Sequence, residues 1–201
     1  MLKYAKKTKL LSISGDSSDP SLINKTKYLA NEAKLINPFI KVNIHTRTLN
    51  YVLINDFINN NYDKIVISID ENFFNNISKQ TNTLLISLKD KIRFSIVITN
   101  YNIELLNKDF IIKLYSLYPN ASFTIRPDVF NKNDNFERQI YLLIKTLSPQ
   151  GFIENKLGAI VLNKYKNIWF WFYKKSNKIN NVKYLFSNDV ISNYTIWEEL
   201  Y

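Results

Sequence analysis

Apolar residues along this chain recur with two different periods. Five short runs rich in β-branched residues, "KLLSIS" at 9–14, "IKVNIH" at 40–45, "KIVISID" at 64–70, "IRFSIVI" at 92–98 and "SFTIR" at 122–126, read as strands. Between them the apolar positions return at helical spacing, as at Leu22, Tyr28, Leu29, Ala33 and Ile36, or at Leu105, Phe110, Ile111, Leu114 and Leu117. The strand starts are 31, 24, 28 and 30 residues apart, the length of one strand-helix-strand crossover. Strands alternating with helices predict an α/β fold with a parallel sheet and helices packed outside it. Pro20 and Pro127 follow strands and Pro38 and Pro119 follow helices, which supports the boundaries.

The pattern changes after a last helix near 134–147 and the punctuation "SPQG". "GAIVLNKY", "NIWFWFYKK" and "NVKYLFS" read as three strands joined by the turns "KYKN" and "KSNKINN", an antiparallel extension. The expectation is a single domain over 1–201, with βα repeats over 1–150 and a C-terminal β extension over 151–201. The 46% hydrophobic content of 201 residues suffices for one core.

Charge and cysteine content narrow the chemistry. The 27 Lys and Arg against 17 Asp and Glu give +10, which favours anionic partners. The excess is scattered Lys, and the Arg residues, Arg47, Arg93, Arg126 and Arg138, form no stripe in sequence, so nucleic acid is a weak expectation. Absence of Cys removes disulfides, zinc-thiolate sites and any iron-sulfur cluster held by this chain's own thiolates. No apolar run reaches the roughly 20 residues of a membrane span, and the chain reads as cytoplasmic, without a membrane partner. P-loop, Rossmann and nucleophile-elbow glycine motifs are absent, and a lone histidine leaves little for triad hydrolysis.

In a parallel sheet all strands deliver their last residues to one edge, where polar groups converge. The candidates there are Ser14 to Asp19 after the first strand, His45, Thr46 and Arg47 after the second, Ser68, Asp70 and Glu71 on the third, Thr99 and Asn100 on the fourth, and Arg126 and Asp128 on the fifth. Each has a plainer explanation. Gly15 would serve a turn needing positive φ, Asp19 or Ser21 a helix cap, and His45 a hydrogen bond at a strand end. Asp70 and Glu71, as neighbours on a strand, point to opposite faces. The aromatic run "WFWFY" alternates between core and cover rather than forming a base-stacking platform.

The order of these segments resembles the radical S-adenosylmethionine superfamily. "LSISGDSSDPSL" is similar to that family's glycine-rich turn ending in an acid and a proline, "VNIHTRTLN" to its next strand, "IVISIDE" to its "SID" strand, and "FSIVITNYN" to the strand after that. The resemblance covers about residues 9–130 and implies a partial (β/α) TIM-like barrel. It further implies that Gly15, Asp16, Ser17, Ser18, Asp19 and Pro20 contact the amino group of S-adenosylmethionine. Ser68 and Asp70 would approach the ribose or carboxylate, with His45, Asn100 and Arg126 completing the pocket.

The family's four-iron four-sulfur cluster is held by a Cys-x3-Cys-x2-Cys loop, and this chain has no Cys. By this resemblance the chain is a fragment or degenerate member, inactive alone in reductive cleavage of the cofactor, whose cysteine-bearing unit would lie on a companion polypeptide. The "LKYAKKTK" start resembles a barrel helix cut midway. Two other classes stand beside it: a non-catalytic binding module for a nucleotide-like ligand or nucleic acid, and another α/β enzyme using Asp19, Asp70 or His45 for acid-base work on a small anion.

Overall fold

The computed structural model describes residues 2–15, 18–99, 101–127, 134–154 and 159–171, with two further strand segments at 184–185 and 191–192. The five predicted strands form as β1 (Leu10–Ile13), β2 (Lys41–Thr46), β3 (Lys64–Ile69), β4 (Ile92–Ile98) and β5 (Ser122–Pro127). Between them lie α1 (Leu29–Ile36), α2 (Tyr51–Asn59), α3 (Phe73–Asn76), α4 (Lys79–Leu88) and α5 (Lys108–Leu117), and α6 (Asp134–Leu147) follows β5. Asparagine and serine side chains start three of the helices: Asn50 caps α2, Ser78 caps α4 and Asn107 caps α5, each accepting from a backbone N–H in the first turn. Among the described residues no helix is long and apolar enough to cross a membrane.

The chain then forms β6 (Phe152–Glu154), β7 (Ala159–Leu162) and β8 (Ile168–Trp171). All eight strands belong to one sheet in the order β1-β2-β3-β4-β5-β8-β7-β6, which is not closed into a barrel. β1 to β5 are mutually parallel and β8 continues the parallel set beside β5, whereas β7 and β6 are antiparallel to their neighbours. The expected antiparallel extension is therefore present with a different route. The chain leaves α6 for the far edge at β6 and returns inward, because Ile168 and Phe170 of β8 are the residues buried against the core while Ile153 and Glu154 of β6 are exposed. The expected "NVKYLFS" strand survives as β9 (Tyr184–Leu185), which pairs with β10 (Ile191–Ser192) in a separate two-stranded sheet. The "KSNKINN" turn lies outside the described residues.

Each of the first four crossovers advances one strand in the same direction. Right-handed connections of that kind place every intervening helix on one face. Burial agrees: Val42 and Ile44, Ile65, Ile67 and Ile69, Phe94, Ile96 and Ile98, and Phe123 and Ile125 share one cluster with Ala30 and Ala33 of α1, Ile54 and Phe57 of α2, Leu85 of α4, Phe110 and Leu114 of α5, and Ile140 and Ile144 of α6. At the centre Phe94 stacks on Phe123, with ring centroids 5.5 Å apart and planes 22° apart, and meets Phe73 at 5.5 Å and Tyr118 at 4.8 Å.

This aromatic cluster joins β4, β5, α3 and the end of α5, so its loss is expected to loosen several elements together. Phe94→Ala should cost about 3–5 kcal/mol, because a fully buried ring leaves a cavity as well as forfeiting transfer energy. Urea unfolding of the variant and the parent checks this; a cost below about 1 kcal/mol would mean the core is not organised around this ring.

Candidate functional site

At the carboxyl-end rim the polar atoms of Asp19, Thr46 and Asp70 are engaged by the fold. Asp19 caps the 3-10 turn Pro20–Leu22 by accepting from Ser21 N at 2.9 Å. The same Oδ1 accepts from Thr46 Oγ1 at 2.8 Å, and Oδ2 accepts a short bond from Arg47 N. Partial burial pushes the Asp19 pKa up, but the bonds from Arg47, Ser21 and Thr46 outweigh it and hold the carboxyl below its usual value. The carboxylate thus clamps the loop after β1 to the end of β2.

Gly15 has a steric reason of its own. A Cβ built on it would lie 1.5 Å from the Ser18 carbonyl oxygen and 3.2 Å from Pro20 Cδ, so the loop folds back onto the glycine backbone. The expected positive φ is not found; the positive-φ glycine among the described residues is Gly151. Pro20 is buried and Ser18 is exposed. β3 ends at Ile69, so Asp70 and Glu71 stand in the following turn instead of on opposite strand faces. Asp70 Oδ1 accepts from Asn72 N at 2.9 Å, an ordinary Asx turn. Asp16, Ser17, Asn100 and Asp128 lie outside the described residues.

His45, Ser68 and Arg126 fall elsewhere, on the sheet face that carries none of the described helices, called the helix-free face below. Strand alternation sends Asn43 and His45 of β2, Lys64, Val66 and Ser68 of β3, Arg93, Ser95 and Val97 of β4, Ser122, Thr124 and Arg126 of β5 and Trp169 of β8 to this side. The register aligns them in rows across the strands. One row runs Ser12, Asn43, Lys64; the next His45, Val66, Arg93, Ser122; the third Ser68, Ser95, Thr124, Trp169; the last Val97, Arg126. Within the strands of the sheet no position of this face is Asp or Glu. Val66 is 2% exposed yet stands outside the core cluster, so it forms an apolar floor between the His45 and Arg93 side chains.

The electrostatics of the face are those of a cation-rich, partly desolvated surface. Ser12 Oγ lies 2.9 Å from His45 Nε2, and Arg93 Nε donates to Ser122 Oγ at 3.3 Å. Burial, then the charges of Arg93 and Arg126, push the His45 pKa from 6.5 down to about 4. Burial lowers the Arg93 pKa, while burial and Arg93 together lower that of Lys64, with Asp90 acting in the opposite sense. Off this face or at its border, Asp63 pairs with Lys34 at 2.9 Å and with Lys41 at 3.5 Å, and Asp56 with Lys27 at 3.9 Å. No group of three or more His, Cys, Asp or Glu suited to a metal ion exists among the described residues.

Comparison with protein families, curated proteins and solved structures found no match. The function must therefore be argued from the two regions just described. The rim is a poor fit for the cofactor that the sequence resemblance implies: the carboxylate at Asp19 already accepts three bonds, Ser18 closes over Gly15, and no thiolate exists to hold a cluster. The helix-free face offers donors instead. Sequence reasoning missed Ser12, Lys64, Arg93, Ser95 and Thr124 because it searched strand ends. The available signal was polar residues at alternate positions inside runs such as "KIVISI" and "IRFSIVI", where a sheet covered on both faces would be apolar throughout.

The single histidine makes the electrostatics directly measurable. Its imidazole resonance should titrate near pH 4 in the folded protein and near 6.5 in urea. Since the folded pKa is depressed, the associated stability is complete above about pH 6.5 and is lost as pH falls toward 4. His45→Gln should remove that part of the pH dependence; a folded midpoint of 6 or higher would contradict the cationic surroundings.

Proposed function

We propose that this chain is a non-catalytic binding module that holds a small anionic ligand, phosphate- or carboxylate-bearing, against the helix-free face of its sheet. The observation that carries this reading is that Lys64, Arg93 and Arg126 stand on one face, in three of its rows and with a band of hydroxyls between the two arginines, and that no strand position of this face is Asp or Glu. Arginine presents a planar fork suited to phosphate and carboxylate oxygens, and the neighbouring Ser95, Ser122 and Thr124 hydroxyls add donors at the spacing of adjacent strands. Partial desolvation raises the strength of each such bond. His45, neutral at pH 7, contributes a hydrogen-bonding group rather than a charge. In this reading the module works in the cytoplasm.

A second reading takes the chain as one arc of a partial (β/α) barrel of the radical S-adenosylmethionine type. Its support is the consecutive order β1 to β5 with helices on one face, together with a β1 that pairs only with β2 among the described residues. A cysteine-bearing companion lying along β1 would then supply the cluster ligands and cover an edge that is otherwise open to pairing. Anaerobic reconstitution separates the readings. The chain alone should show neither iron-sulfur absorbance nor 5′-deoxyadenosine, and their appearance only with the product of an adjacent gene would favour the second reading.

The first reading makes a direct prediction for an inorganic probe. Triphosphate should bind with an affinity that falls as salt rises, and Arg93→Gln and Arg126→Gln should each weaken it about tenfold or more, the usual worth of a charge-assisted hydrogen bond. Saturation with triphosphate should also raise the His45 midpoint above 4, because the anion offsets the two guanidinium charges that depress it. Unchanged triphosphate affinity in both arginine variants would overturn the reading.

A further inference from the structure

The amino-terminal edge of the sheet, opposite the rim, carries an exposed apolar tip. α1 ends at Ile36, and the turn Asn37-Pro38-Phe39-Ile40 leads into β2, closed by Ile40 N donating to the Asn37 carbonyl at 3.1 Å. Phe39 N donates to Asn37 Oδ1 at 3.1 Å, and Asn37 Nδ2 donates to the Ala5 and Thr8 carbonyls at 3.0 and 3.1 Å. One asparagine therefore fastens the turn to the end of the N-terminal 3-10 helix Leu2–Lys7, while Pro38 fixes its own φ. The anchored turn nevertheless presents Phe39 at 91% exposure, beside Leu35 at 85% and Ile36 at 45% in the last turn of α1. Ile40, the next residue, is buried in the core, so burial of the segment is complete without them.

Cations surround this tip. Lys6, Lys7, Lys9 and Lys41 are exposed, and Lys41 N donates to the Lys9 carbonyl at 3.0 Å, which holds the two strand starts together. The same edge continues with exposed Lys91 before β4 and exposed Lys166 before β8. The acids here are fewer: Asp63 pairs with Lys34 and Lys41, Asp90 acts on Lys64, and Glu32 lies one turn back on α1. Asp19, Asp70 and Glu71 stand at the opposite rim, so exposed Leu22 and Tyr101 on that side lack this setting.

We infer that this edge docks on an anionic lipid bilayer, with Phe39 and Leu35 entering the boundary between headgroups and acyl chains and the lysines lying against the headgroups. Apolar insertion combined with attraction between lysines and anionic lipid is what binding in the interface requires. Nucleic acid would satisfy the lysines but offers no apolar phase to Leu35, and a second copy of the same edge would set lysine against lysine. The missing membrane span, from which no membrane partner was expected, concerns crossing a bilayer and not lying on one. The residues of the anion-binding face take no part, so the two readings stand or fall separately.

The test is co-sedimentation of the whole chain with vesicles of phosphatidylcholine, alone and mixed with phosphatidylserine. Binding to the mixed vesicles should be about tenfold or more tighter than to phosphatidylcholine alone and should weaken as salt rises. Phe39→Ser should weaken it about tenfold, and Lys6→Gln combined with Lys7→Gln about 25-fold, roughly fivefold per lysine. All three side chains are exposed, so the urea midpoint of these variants should match the parent and lost binding cannot be assigned to unfolding. Arg93→Gln should leave vesicle binding unchanged. No binding to the mixed vesicles, or binding indifferent to Phe39→Ser, would overturn the inference. So would loss of vesicle binding in Arg93→Gln, which would put the headgroup on the helix-free face. Lysine-dependent binding of a single-stranded oligonucleotide that Phe39→Ser leaves intact, with no vesicle binding, would make the edge a nucleic-acid surface and overturn it as well.

Discussion

Neighbouring parallel strands joined by connections of one hand cannot share their helices between two faces, and this asymmetry governs the rest of the molecule. All six helices contribute to a single layer, so the sheet has one side fastened by Phe94, Phe123, Ile67 and their helical partners and another side that must be justified differently. Had the second side been apolar, it would have been an aggregation surface. Around Val66, Val97 and Trp169 it carries instead serine, threonine, asparagine, lysine and arginine at alternate positions, which lets a sheet face without any of the described helices meet water and simultaneously makes it a set of hydrogen-bond donors.

That arrangement has an electrostatic consequence beyond solubility. Lys64 lies close enough to Arg93 to have its pKa lowered by it, no carboxylate stands in the same strands, and His45, which feels both Arg93 and Arg126, stays neutral and adds no further charge. Ser12 and Ser122 hold the imidazole and one guanidinium in place through their hydroxyls, which fix geometry without neutralising charge. Arg93, held by one hydroxyl and partly buried, is where an anion gains more than at solvated lysines, whose attraction screening mostly removes.

The parallel α/β arrangement was legible because strand and helix periods are local properties: β4 falls on "IRFSIVI" and α6 on 134–147, where the apolar spacing puts them. Strand placement in the extension was not. Whether β6 or β8 sits beside β5 depends on which apolar face the sheet can bury best, a comparison between distant segments that no local pattern expresses. For the site, the strand ends were located correctly while their roles depended on contacts 27 or 28 residues apart, such as Asp19 to Thr46 and Arg47. Gly15 was legible as a special position, but its cause, the returning Ser18 carbonyl, is a distance that sequence does not contain.

The contrast between Asp19 and Arg93 shows why binding chemistry moves from rim to face. A carboxylate accepting from Ser21, Thr46 and Arg47 is at its lowest free energy already, and recruiting it for a ligand would release the loop after β1 from the end of β2. Arg93 donates through Nε to a single hydroxyl at 3.3 Å, which leaves the terminal nitrogens of a five-donor guanidinium to seek further acceptors. Satisfied groups hold loops and under-satisfied donors hold ligands. By that criterion the turn that stands out most in the sequence is scaffolding, and the binding surface proposed above is made of ordinary-looking residues inside the strands.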